Sequence, residues 1–274
     1  MFANGVNLDT YAYNVATRTG RTRTAPRRGK NIEISQRHGA IPTPGKKYGA
    51  NTVILPMWVI GADEDGNVPR DGTMRALFQH NLDMLLGIFA ANEVELVDVM
   101  PDGSVRRIVG EVLDVIDPDI QAGGTRAQFS VSVQAFTAFW EDTETVTATK
   151  TGTGLWHVTA LQGATAPMDD QLVRFDGPCT NPRLTNIDGI YVAYNAVLSG
   201  TQWVAINCAD WSITTGGGLA VSYIPGTGLD HAGDARWFVL TPQPRDPIPR
   251  CTFSQTAGTT GKATLTGRRK WLIG

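Results

Sequence analysis

The clearest pattern along the first part of the chain is alternation of apolar and polar side chains. Residues 30–37 (KNIEISQR) place the two kinds on opposite faces, as a half-buried strand does. A Gly/Pro-rich stretch follows at 38–49, and residues 52–60 (TVILPMWVI) read as a mostly buried strand. Pro56 lacks the N–H that a sheet ladder needs, which moves this strand towards a sheet edge or a bulge. Asp63-Glu64-Asp65-Gly66-Asn67 closes the element as a turn.

One segment has helical period. Across 71–91, Met74, Leu77, Phe78, Leu82, Leu85, Leu86, Ile88 and Phe89 fall at i, i+3, i+4 spacing and make a broad apolar stripe. Asp71 is the candidate N-cap and Asn92 the stop. The polar face carries Arg75, His80 and Asp83 without a dense basic stripe, so this is a core helix rather than a membrane-surface one. A meander follows. Residues 94–100 and 105–116 flank the turn Pro101-Asp102-Gly103, and 126–140 alternates as a long strand with Phe129, Val131, Val133, Ala135, Thr137 and Phe139 on one side.

From 143 to 153 threonine occupies every second position, which implies extended chain; it reads as a linker leading into an outer strand. The stretch 154–274 shows no helical period. It offers short strands at 172–175, 189–197, 202–207, 219–223, 236–240, 250–253 and 262–266, spaced as in a β-sandwich. The expected fold class is therefore mainly β with one helix. Its parts are a β-sheet or barrel domain at 1–142, a Thr-rich linker at 143–153 and a β-sandwich at 154–274.

Composition agrees with this picture. The 274 residues include 30 glycines, 15 prolines and 31 threonines, with 18% charged, so turns and strands dominate. A hydrophobic share of 42% argues against disorder, and the absence of a helical Ala/Glu/Lys/Leu repeat argues against a coiled coil. No apolar run reaches the ~18 residues of a membrane span, and no secretory hydrophobic core opens the chain, so membrane insertion is not expected.

The net charge of −2 conceals an uneven distribution: residues 1–50 carry +7 and the remainder −9. Arg18, Arg21, Arg23, Arg27 and Arg28 make the candidate partner contact, either a solvated basic loop or a surface for an acidic partner. No aromatic residue is interleaved to stack on bases, which disfavours nucleic acid. Cys179, Cys208 and Cys251 are spaced unlike metal ligands and are odd in number, so they are expected as free core thiols in a protein made in a reducing compartment.

Motifs for catalysis are missing. There is no GxSxG elbow, phosphate loop, HExxH or CxxC, so no catalytic, cofactor or metal residue is assigned. His38, His80, His157 and His231 stand singly. Residues 63–67 resemble half a calcium loop, but the glycine comes one place early and no bidentate glutamate follows, which leaves a turn. His231 and Asp234 share a glycine-rich loop with no adjacent nucleophile. Five of the seven tryptophans (Trp156, Trp203, Trp211, Trp237 and Trp271) lie in the second half. Trp211, next to Asp210, is the candidate for stacking on a sugar, against packing in the core.

Several short motifs of the second half together resemble the C-terminal domain of siphophage distal tail proteins. They are Val173-Arg174-Phe175-Asp176-Gly177, Asn181-Pro182, Asn186-Ile187-Asp188-Gly189, residues 200–207 (GTQWVAIN), Trp237-Phe238-Val239-Leu240 and the basic, tryptophan-bearing end at 263–271. After Leu240 the family's Pro-Gly-x-Asn is replaced by Pro242-Gln243-Pro244, so that corner is built differently. The first half matches in element order. The resemblance implies a structural minor tail protein of a long-tailed phage. Its N-terminal domain would form a hexameric ring, and its C-terminal domain would be a galectin-like sandwich. Implied partners are further copies of itself, the tail tube protein, and the tail-tip hub with its receptor-binding proteins. It would be assembled in the host cytoplasm and located at the virion tail tip. The strands at 52–60 and 126–140 would offer edges for intersubunit packing. The alternative is a carbohydrate-binding module for attachment to the host envelope. A cell-wall hydrolase is weaker, since no carboxylate pair stands out from turn residues.

Overall fold

The computed structural model describes the chain except residues 17–23, 29–31, 34–39, 42–47, 64, 70–72, 115, 122, 223–227, 232–237 and 244–245, with the backbone alone at 32, 33, 40 and 41. The fold is mainly β with one helix. It divides into two compact units, Met1–Glu141 with Leu272–Gly274, and Asp142–Trp271.

The first unit contains β1 (Phe2–Ala3), β2 (Val6–Asn7), β3 (Tyr13–Val15), β4 (Ile32–Glu33), β5 (Ala40–Ile41), β6 (Thr52–Ile60), α1 (Met74–Phe89), β7 (Val94–Val99), β8 (Val105–Val112), β9 (Asp119–Ile120), β10 (Arg126–Ala135) and the start of β11 (Trp140–Asp142). Its main sheet runs β2-β1-β7-β8-β10-β6-β3, while β4 and β5 form a separate ribbon. The longest pairing is β6 with β10, antiparallel from Thr52↔Gln134 to Ile60↔Arg126. Alternation explains it: Val53, Leu55, Met57 and Val59 are buried on β6, and Ala127, Phe129, Val131, Val133 and Ala135 on β10.

Pro56 has a place in this ladder. Its carbonyl accepts from Ala16 N at 2.7 Å, so its missing N–H also faces the β3 side, just beyond the residues that β3 pairs. The strand is thus covered in full on one side and, among the described residues, at 56–60 on the other, where Ile60 N also donates to the Ala12 carbonyl. By contrast β10 lies inside the sheet, between β6 on one side and β8 and β9 on the other, so it offers no full edge. Its alternation stops at Ala135: Phe136 and Thr137 are exposed where the chain bends. At the β8–β10 approach a Cβ on Gly110 would overlap the Gln134 carbonyl, which explains a glycine within a strand.

Helix α1 buries Phe78, Leu82, Leu85 and Phe89 together with Asn81. Asn81 Nδ2 donates to the Ile60 and Ala62 carbonyls at 2.9 and 2.8 Å, tying the helix to the end of β6. The helix begins after Thr73, whose side chain makes no cap bond, and ends at Ala90; Asp71 lies outside the described residues. The C-terminal tripeptide completes this unit. Arg106 Nη1 donates to the Ile273 carbonyl at 2.8 Å, and Gly274 lies against the fully buried Trp140 ring.

The second unit contains β12 (Val146–Thr151), β13 (Gly154–His157), β14 (Leu172–Asp176), β15 (Cys179–Thr180), β16 (Arg183–Asn186), β17 (Tyr191–Asn195), β18 (Val197–Leu198), β19 (Trp203–Asn207), β20 (Ile213–Gly216), β21 (Gly228–His231), β22 (Arg250–Ser254) and β23 (Lys262–Gly267). Two five-stranded antiparallel sheets, β12-β23-β14-β19-β20 and β13-β22-β16-β17-β21, enclose one core. Phe175 and Phe253 stack across it with centroids 6.0 Å apart. The alternating threonines form β12, an outer strand on β23, where Thr147 and Thr149 hydroxyls meet those of Thr266 and Thr264 at 3.1 and 3.2 Å.

Some expected strands differ. Residues 219–222 are not a strand; Thr215 Oγ1 instead donates to the Leu219 carbonyl in a loop. Of 236–240, only Leu240 pairs, with Met168, and 236–237 lie outside the described residues.

Candidate functional site

The residues that could carry chemistry are occupied structurally. Asp63 accepts from Asn67 N at 2.7 Å and Asn67 Nδ2 at 3.0 Å, so both carboxylate oxygens serve the turn. These bonds hold its carboxyl below the ordinary carboxylate value. The three cysteines are free and buried. Burial pushes the Cys179 thiol up to about 11 and those of Cys208 and Cys251 up to about 12, far from the thiolate a nucleophile needs. Among the described residues no cluster of His, Cys, Asp or Glu could hold a metal ion, and no helix is long and apolar enough to cross a membrane. His231 is exposed, while His38 and Asp234 lie outside the described residues.

The basic end at 268–271 serves the second unit itself. Lys270 is 5% exposed, with Nζ 2.8 Å from Asp169 and 3.0 Å from Asp170. Burial pulls the ammonium down, but the two carboxylates outweigh it and its pKa is raised. Arg269 Nε and Trp271 Nε1 donate to the two oxygens of Asp142 at 2.5 and 3.1 Å. The Trp203 ring lies under the Arg174 guanidinium at 4.3 Å, and a Cβ on Gly216 would overlap that ring.

Asn186 is the residue whose role the sequence reading missed. It is buried and fully engaged: Nδ2 donates to the Val239 carbonyl at 2.7 Å, and Oδ1 accepts from Asp188 N at 2.9 Å and Ile190 N at 2.8 Å. One side chain thus shapes the 186–190 turn and pins the segment at 238–240 to it. The available signal was the joint presence of Asn186-x-x-Gly189 and Phe238-Val239-Leu240, which sequence alone gives no reason to connect.

Of the five candidate arginines, Arg18, Arg21 and Arg23 lie outside the described residues. Arg27 and Arg28 are exposed. Arg27 Nη2 donates to Tyr48 Oη at 3.3 Å, with its guanidinium 5.2 Å from that ring, and Tyr48 meets Phe139 edge-on at 4.9 Å. Trp211 is half-buried against the sandwich core at φ 60°, its ring 5.0 Å from His231, and Asp210 Oδ1 accepts from Ser212 N at 2.8 Å. Only part of the ring is left for a stacking partner.

A groove of about 620 Å³ runs between the C-terminal end of α1 and the end of β8, lined by Leu86, Phe89, Asn92, Glu111, Asp114 and Ile116, among others. Its charged lining is acidic, and the carbonyl end of the helix adds negative potential. Leu113, between two lining residues, is 61% exposed; Ile120 and Phe136 are each 53% exposed on the same unit.

No protein-family model matches the sequence, and no curated protein matches it. Among solved structures, the Dit (gp 19.1) protein of SPP1 aligns over 97% of this chain and 97% of its own, with 14% identity and a TM-score of 0.60. That structure is described as a paradigm of hub adsorption apparatus in Gram-positive infecting phages. Chains of the phage p2 baseplate in its activated conformation, with Sr and with Ca, align at 9% identity over 89% and 93% of this chain and 87% and 92% of theirs. Their TM-scores, 0.33 and 0.34, are too low to define a common fold. The chain therefore shares the fold of SPP1 Dit along its length.

Proposed function

We propose that this chain is a distal tail protein of a long-tailed phage, a structural virion component and not an enzyme. The observation that carries this reading is the fold shared with SPP1 Dit over 97% of both chains. In this role the first unit forms a closed ring, six-membered by family resemblance, that joins the tail tube to the tail-tip hub and its receptor-binding proteins. The second unit, a galectin-like sandwich in this reading, belongs to the same apparatus. Assembly takes place in the host cytoplasm.

Ring closure needs a heterologous interface, one patch on each copy fitting a different patch on the next. The acidic groove lined by Glu111 and Asp114, with exposed Leu113 beside it, supplies one patch. The basic stretch holding Arg18, Arg21, Arg23, Arg27 and Arg28 supplies the complementary charge. Electron microscopy of the purified chain tests this. Rings of closed rotational symmetry are expected, dispersing in Leu113→Lys and in the double variant Glu111→Lys/Asp114→Lys while both keep the wild-type melting profile. Salt should weaken the ring, since charge pairs at an exposed rim are screened over about 10 Å at 0.1 M. A chain that stays monomeric at every concentration contradicts self-assembly into a ring.

A further inference from the structure

The outer face of the sandwich's second sheet carries a built polar pocket. Leu184, Val192, Tyr194, Cys251 and Phe253 point into the core, so their strand neighbours point outward. On that face Ser254, Arg183, Ala193 and Asp230 form one row across β22, β16, β17 and β21. Arg183 pairs with Ser254 and with Ala193, and Ala193 pairs with Asp230. The row lies in a cavity of about 260 Å³ completed by Asn181, Asn195 and the 255–256 segment.

The centre of the row is the small residue, so the depression lies between a guanidinium and a carboxylate. Neighbouring strands stand about 4.8 Å apart, and Arg183 and Asp230 are two strands apart. Their backbones are thus about 10 Å apart, and the cavity of about 260 Å³ over the row has the size for one six-membered sugar ring. Arg183 is held 3.3 Å over the Tyr191 ring, and its Nε is buried without an acceptor among the described residues. Asp230 accepts from Asn195 Nδ2 at 3.2 Å, and among the described residues neither Arg183 nor Asp230 forms an ion pair.

We propose that this pocket, and not the turn at Trp211, binds a single neutral pyranose unit of a polysaccharide. The charges decide the class. A phosphate that meets Arg183 also meets Asp230, and a cation that meets Asp230 also meets Arg183. A polyol satisfies both, because each hydroxyl donates to the carboxylate or accepts from the guanidinium. The Asn195 amide and the Ser254 hydroxyl add groups of both kinds.

The test uses the full chain and saturation-transfer NMR with methyl pyranosides of gluco, galacto, manno and N-acetylglucosamine type, and with inorganic phosphate as competitor. At least one pyranoside should bind with a Kd of about 1–10 mM, unaffected by phosphate. Asp230→Asn and Ala193→Leu should each weaken it at least tenfold while the melting profile stays wild type, and Asp210→Ala should leave it unchanged. If Ala193→Leu does not fold, Asp230→Asn decides. No saturable binding, competition by phosphate, an unchanged Kd in Asp230→Asn, or loss in Asp210→Ala overturns the proposal. A monomeric chain carries the same pocket, so the outcome is independent of ring assembly.

Discussion

Asn186 shows how much of the second unit rests on one buried amide. Removing it strands the Asp188 and Ile190 N–H groups and the Val239 carbonyl. Asn186→Ala should cost about 2–4 kcal/mol, measured as the shift of the urea transition, whereas Ile187→Ala, at an exposed neighbour, should stay within about 0.5 kcal/mol. An equal effect at both positions contradicts the assigned role. The three thiols give a pH signature. Their folded values are raised from 9.0 to about 11 for Cys179 and about 12 for Cys208 and Cys251, mainly by burial. Well below pH 9 both folded and unfolded chains hold neutral thiols, so stability is full there. Above it the unfolded chain ionises first, and stability falls as pH climbs towards the folded values. Each thiol adds a slope of at most about 1.4 kcal/mol per pH unit, so urea titrations between pH 9 and 10 should show Cys251→Ala with a shallower decline than wild type. Equal slopes contradict the assignment.

At the scale of elements, legibility followed how one-sided each burial was. The strand β10 and the helix α1 were readable because each buries one face and exposes much of the other, so the periods of two and 3.6 stand out, while β6, half-buried on its second face, was readable as a nearly continuous apolar run. Pro56 was read as an edge signal, and its carbonyl does face the partly covered side of β6, although the strand lies second from the edge. Strands β15, β16, β20 and β21 went unread. They are two to four residues long and rich in Thr, Arg, Asn and Gly, and cross-strand partners make them strands rather than their own pattern. The segment at 219–222 had strand-like composition, yet Ala220 and Val221 are exposed and only Leu219 packs on the core. The basic end at 268–271 read as a family mark; its internal ion pairs to Asp142, Asp169 and Asp170 join residues about 100 positions or more apart, which no local pattern reveals. The polar pocket was hidden for the same reason, since its row of Ser254, Arg183, Ala193 and Asp230 exists only once four strands are in register.

At the scale of the whole molecule, two units of different character share one chain. The first takes in Leu272–Gly274, with Arg106 bonded to Ile273, and it carries the exposed Leu113, Ile120 and Phe136 as well as the acidic groove. The second is a sandwich whose charged end is consumed internally and whose outer face holds the sugar-sized pocket. In the proposed role the first unit joins neighbouring copies and the second meets an outer surface. Immunogold electron microscopy of phage particles carrying the gene, using antibody against this chain, tests the central claim most directly. Gold confined to the distal end of the tail is the predicted result; gold on the capsid, along the whole tube, or on no part of the particle would contradict it.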